Sequence, residues 1–123
     1  MLSSDPQVQQ LQAISTQVEL PEVVPSLVYY VDIDGTICNN SFGDYTNAVP
    51  YPERIAKLNN LYDEGVEIIY WTARGAQSGR DWAEFTKAQL ALWGAKYTRF
   101  IPNKPHYNLW IDDKAISAND FFN

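Results

Sequence analysis

Four aspartates and one lysine carry most of the chemistry this chain can offer. Asp32 and Asp34 stand one residue apart at the end of the apolar run Val28-Tyr29-Tyr30-Val31, and Gly35 and Thr36 follow at once. Asp112 and Asp113 close a second apolar run, Asn108-Leu109-Trp110-Ile111, about eighty residues later. Two carboxylates so close repel each other unless a cation or a proton lies between them. The pattern therefore suits a bound cation or a shared proton. A strand ending in a turn uses the same Asp and Gly residues, so the first pair alone does not decide between site and turn.

The elements needed to bring these groups together are legible in the hydrophobic pattern. Val28–Val31 reads as a strand buried on both faces, as in a parallel sheet, and the carboxyl edge of such a sheet is where ligands bind. Residues 37–51 are turn-rich, without either periodicity, and leave the acidic strand end directly. This loop should overhang the site. Pro52 suits a helix start, Ile55, Leu58, Leu61 and Tyr62 form an apolar stripe, and Gly65 stops it. Residues 66–71 form a second buried strand running into Thr72, Ala73, Arg74 and Gly75. Trp82, Phe85, Leu90 and Trp93 predict a helix of about fifteen residues, closed by Gly94. Residues 97–101 make a short third strand, 108–111 a fourth, and 116–122 a short helix. The expectation is an α/β protein, with a three-layer Rossmann-like parallel sheet and helices on both faces. All three chemistry-bearing strand ends then share one edge, and Lys104 lies in the loop entering the last strand.

At 123 residues the chain suits one domain, here 26–123. Residues 1–25 form a polar, Gln-rich extension, and Val8, Leu11 and Ile14 allow a short helix or a loose tail. Fifteen acidic residues against nine basic ones give a net charge of −6, without a basic cluster, which argues against nucleic-acid partners. The one cysteine, Cys38, has no internal partner, which fits a reducing compartment. No apolar run reaches the roughly 18 residues that span a membrane, and the N-terminus lacks signal-peptide character. A soluble, cytoplasmic protein is expected.

In this order and spacing the residues resemble the haloacid dehalogenase-like (HAD) hydrolase superfamily. Asp32-Ile33-Asp34-Gly35-Thr36 looks like its first motif, Thr72 its second, Lys104 its third, and Trp110-Ile111-Asp112-Asp113 its fourth. The resemblance covers residues 28 to about 116 and implies an HAD-like phosphatase. Asp32 would be the nucleophile that becomes an aspartyl phosphate, and Asp34 the proton donor and later the base. Mg²⁺ would rest on Asp32, the Asp34 carbonyl and Asp112, with Asp113 ordering the shell. Gly35, Thr36, Thr72, Ala73, Arg74 and Lys104 would meet the phosphate or substrate, with Lys104 also neutralising the nucleophile. Lys114 is the rival for the Lys104 role. The intervals after the first and second motifs leave no room for a cap domain. The site should be open, facing a large substrate or completed by a second copy of the chain.

The phrases Tyr70-Trp71-Thr72-Ala73-Arg74-Gly75 and Leu109-Trp110-Ile111-Asp112-Asp113-Lys114-Ala115 are also similar to small HAD-type proteins of capsular and surface-sugar biosynthesis. That likeness hints at a sugar phosphate as substrate. Three other readings use the same residues: a receiver domain, a non-catalytic phosphate- or metal-binding protein, and a polynucleotide 3′-phosphatase. The receiver reading suffers because its adjacent acidic pair comes early in the chain, and here it comes last. His106 and Cys38 stand alone and read as packing or hydrogen-bonding residues. Arg74 either meets a second anionic group of the substrate or is an exposed loop arginine.

Overall fold

Alternating apolar runs and helical stripes build what the computed structural model shows: three parallel strands joined through helices. It describes residues 27–123; the N-terminal extension 1–25, with the helix expected around Val8, Leu11 and Ile14, lies outside the described residues. Strand β1 is Val28–Val31, β2 Glu67–Trp71 and β3 Arg99–Ile101, in the order β1-β2-β3. Val31 pairs with Tyr70 and Trp71 with Ile101, so the three strands end on one edge.

Helix α1, Pro52–Asp63, begins with a proline at its first turn, where the missing N–H has no partner to lose. It buries Ile55 and Leu58. Helix α2, Ala83–Leu92, is shorter than the fifteen residues expected, and it buries Leu90 together with two polar residues, Thr86 and Gln89. Helix α3, Ala118–Phe122, starts at Ser117, whose hydroxyl accepts from the Asp120 N–H at 3.2 Å.

Ile55, Leu58 and Leu90 share one core cluster with Val66, Ile68 and Tyr70, and Phe121 and Phe122 pack against it. Val66, Ile68 and Tyr70 alternate along β2 and point to one side. All three described helices therefore cover the same face. Right-handed crossovers that step in one direction across a sheet put their helices on one side, which is the reason. Among the described residues the architecture is two-layered, and the three-layer expectation is corrected.

The expected fourth strand is also absent. Residues 108–111 pair with no described residue, and Leu109 and Ile111 are 75% and 89% exposed. Trp110 instead packs edge-on against Trp71 at 5.5 Å and Tyr107 at 5.0 Å between centroids. Edge-to-face contacts of this kind hold the ring at the end of β2. Among the described residues nothing pairs with the outer edge of β1, which borders a groove of about 1430 Å³. No insertion of domain size interrupts 27–123.

This packing separates two apolar residues that look alike in sequence. Leu58→Ala should cost about 2–5 kcal/mol, because it opens a cavity in the core. Ile111→Ala should stay within about 0.5 kcal/mol. Denaturant melts of both variants test this, and a loss of core size at Ile111 would place 108–111 in the sheet.

Candidate active site

Asp32 follows β1 directly and keeps 38% of its side-chain surface in solvent. The Thr36 hydroxyl donates to its Oδ2 at 3.2 Å, and the Lys104 ammonium lies 3.7 Å from its Oδ1. Gly35 allows this geometry with φ +82° in the turn that returns Thr36 towards Asp32. The N–H groups of Gly35 and Thr36 donate to Cys38 and Ile33 carbonyls, so they shape the turn and do not face a phosphate, contrary to expectation.

Lys104 is buried, although it sits in a loop. Its N–H donates to the Thr72 carbonyl at 2.9 Å, and its ammonium lies 5.0–5.9 Å from the Trp71, Tyr107 and Trp110 rings. Aromatic faces attract a cation and shelter its stem. Of the two candidate lysines, Lys104 is the one that reaches Asp32. Lys114 is exposed on the groove rim, its N–H bound to Asp112.

Thr72 is buried at the end of β2, and its hydroxyl oxygen accepts from the Arg74 N–H at 3.1 Å. That leaves the hydroxyl proton to donate towards the edge. Ala73 lies between them and is half-buried.

Arg74 departs most from expectation. It is neither exposed nor free for substrate: its side chain is 1% exposed and forms a fork with both oxygens of Asp34, each at 2.9 Å. Its Nη1 donates to Gln89 Oε1 at 2.7 Å and Thr86 Oγ1 at 3.3 Å. The Tyr45 ring covers its Cζ at 4.6 Å. Gly75 (φ +87°) makes the tight return that follows, where a Cβ would collide with the Arg80 carbonyl. Asp34 must leave this fork before it can pass a proton to anything else.

The loop 37–51 starts inside the core, with Ile37 and Cys38 fully buried. Its base closes where the Tyr51 N–H donates to Ile37 at 2.8 Å and the Asn39 N–H to Val49 at 3.0 Å. Only its outer part, with the single turn Tyr45–Asn47, stands over the edge. Burial and the neighbouring Asp34 push the Cys38 thiol up to about 12, which keeps it protonated and inert.

Asp112 lines the same groove as Asp32, and Asp113 beside it is exposed. Asp112 caps a surface turn, accepting from the Lys114 N–H at 3.0 Å, and that contact lowers its pKa. Among the described residues no three acidic, histidine or cysteine side chains stand close enough to hold a metal ion. The Mg²⁺ ligands that the resemblance implies are Asp32, the Asp34 carbonyl and Asp112, and the first and last of these line one groove. His106 meets Gln77 at the surface.

Sequence reasoning missed Thr86 and Gln89. Thr86 and Gln89 lie three apart, one helical face, beside the core residue Leu90. That was the available signal for a buried polar partner.

Comparison with known proteins adds fold alone. No family model and no curated protein matches this chain. The crystal structure of an MCSG target from Vibrio cholerae is similar, with TM-score 0.71 and 25% identity, over 78% of this chain and 87% of that one.

The setting of Asp32 has a measurable consequence. Burial raises its carboxyl above the ordinary 3.8, against the pull of Lys104. A folded-state value above the unfolded one means ionisation costs stability as pH rises through the raised value. Asp32→Asn should therefore raise Tm near neutral pH, and the gain should shrink as pH falls towards 3.8. Calorimetry across that range checks it. A lower Tm at neutral pH would show that Lys104 needs its counter-ion more than burial penalises the charge.

Proposed function

We propose that this chain hydrolyses phosphomonoesters through an aspartyl phosphate on Asp32, in the manner of the HAD-like hydrolases it resembles. One observation carries the reading: a partly exposed carboxylate at a strand end faces the groove with a buried lysine 3.7 Å away. An ordinary surface aspartate has no need of a lysine held in an aromatic cage.

Asp32 attacks phosphorus, and the P–O bond to the leaving alcohol breaks. Lys104 offsets charge on the nucleophile and on the transferring group. The Thr72 hydroxyl donates to a phosphoryl oxygen. Water then attacks the phosphorus of the acyl phosphate, releases inorganic phosphate and restores Asp32. Asp34 carries the proton to the leaving oxygen and takes one from the water, and for both it must leave Arg74. Mg²⁺ is the proposed cofactor; Asp32, the Asp34 carbonyl and Asp112 would hold it, it would offset the charge of the phosphate, and no step is drawn through it. A sugar phosphate is the proposed substrate class. The groove beside Asp32 is open and lined by Tyr30, Trp71, Tyr107 and Trp110, whose rings suit the C–H faces of a sugar.

A second reading has one observation in its favour. With Asp34 wholly engaged by Arg74, the chain also suits a phosphate-binding protein without turnover. The same experiment separates the two.

Wild-type protein should hydrolyse p-nitrophenyl phosphate and members of a sugar-phosphate panel, faster with added Mg²⁺ than with EDTA. Asp32→Asn should abolish turnover, because an amide is too poor a nucleophile. Lys104→Ala should lower kcat by about 10²–10³-fold, as for loss of one charge-stabilising donor. Turnover surviving in Asp32→Asn would move the nucleophile elsewhere. Phosphate binding without any turnover would favour the second reading.

A further inference from the structure

Two hydrogen bonds leave the Gln89 side chain in opposite directions. Its Oε1 accepts from Arg74 Nη1 at 2.7 Å, and its Nε2 donates to the Tyr45 carbonyl at 2.9 Å. Gln89 is buried on the inner face of α2, and these two bonds satisfy both ends of its amide. The first bond holds the guanidinium that grips Asp34. The second holds the turn Tyr45–Asn47 of the overhanging loop, whose Tyr45 ring lies on the same guanidinium. The side chains of Asp34, Arg74, Gln89 and the loop backbone thus form one continuous polar chain.

We propose that Gln89 is a positioning residue that couples the loop over the acidic edge to the carboxylate of Asp34. With the loop down, Arg74 is held from four sides: Asp34, Thr86, Gln89 and the Tyr45 ring. Lifting Tyr45 removes the ring and frees Gln89 to follow the carbonyl. Arg74 then loses two of its holds together, and Asp34 gains the freedom to turn towards the edge. A ligand that displaces the loop would release Asp34 by this route. The catalytic consequence rests on the phosphatase reading; the coupling itself does not.

Two variants dissect the chain. Gln89→Glu keeps an acceptor for Arg74 and removes the donor to Tyr45. Gln89→Leu keeps the bulk and removes both. In hydrogen exchange, the amides of Asp44, Asn47 and Ala48, which close the loop turn, should exchange about fivefold faster in both variants. The Arg74 amide, bound to the Thr72 hydroxyl, should speed up only in Gln89→Leu. Thermal melts of Gln89→Leu, Asp34→Asn and the double variant should show shifts that do not add, because both residues act on one guanidinium. Additive shifts, or loop exchange unchanged in Gln89→Glu, would overturn the coupling.

If wild-type protein turns over, Gln89→Leu should also change kcat for an alkyl phosphate by more than it changes single-turnover release of p-nitrophenol, whose departure needs little protonation. An equal change in both would reduce Gln89 to a structural role. Absence of wild-type turnover would sink the phosphatase reading and leave the exchange and melting results to decide the coupling.

Discussion

The fork between Arg74 and Asp34 is the constraint on which the acidic edge depends. It joins the end of β1 to the end of β2, two points that pair no further through backbone. Four of the five guanidinium N–H donors are used, two on Asp34 and one each on Thr86 and Gln89. A buried ion pair is weak evidence of net stability, since desolvation opposes the attraction. It is a strong determinant of arrangement, because removing either partner strands the other as a buried charge. The polar inner face of α2 follows from it: a helix covering a guanidinium must supply acceptors, and Thr86 and Gln89 supply them.

The same constraint divides the labour between two aspartates that the sequence presents as a matched pair. Asp32 meets one ammonium at 3.7 Å and still touches solvent; Asp34 meets a full fork at 2.9 Å and is 19% exposed. One carboxylate is available to a ligand, the other is held in reserve. Neighbouring carboxylates with different partners take different chemical roles. That asymmetry comes from Arg74 and Lys104, not from the aspartates themselves.

What was legible in the sequence divides along physical lines. Strands β1 and β2, helix α1 and the end-of-strand positions of Asp32 and Thr72 follow from local periodicity and end signals, which act over a few residues. The partner of Asp34 lies forty residues away in sequence, and nothing local to Arg74 marks it as buried. The spacing of Trp82, Phe85, Leu90 and Trp93 predicts the helix from hydrophobicity alone. It hid Thr86 and Gln89, whose burial is explained only by the guanidinium they meet. The fourth strand failed for a related reason. Asn108–Ile111 has the composition of a strand, but composition cannot tell a ladder from an aromatic cluster when Trp110 has both within reach.

That last competition also decides where the second acidic pair sits. Trp110 packs on Trp71 and Tyr107, the two rings that also shelter Lys104. The contact which buries the lysine beside Asp32 therefore keeps residues 108–111 off the edge of β1, which no described residue pairs. It leaves Asp112 and Asp113 in solvent. An open strand edge is a standing invitation to pairing, so two favourable arrangements contend for one segment. In the arrangement seen here, the aromatic one prevails, and the lysine gains its cage at the expense of a fourth strand.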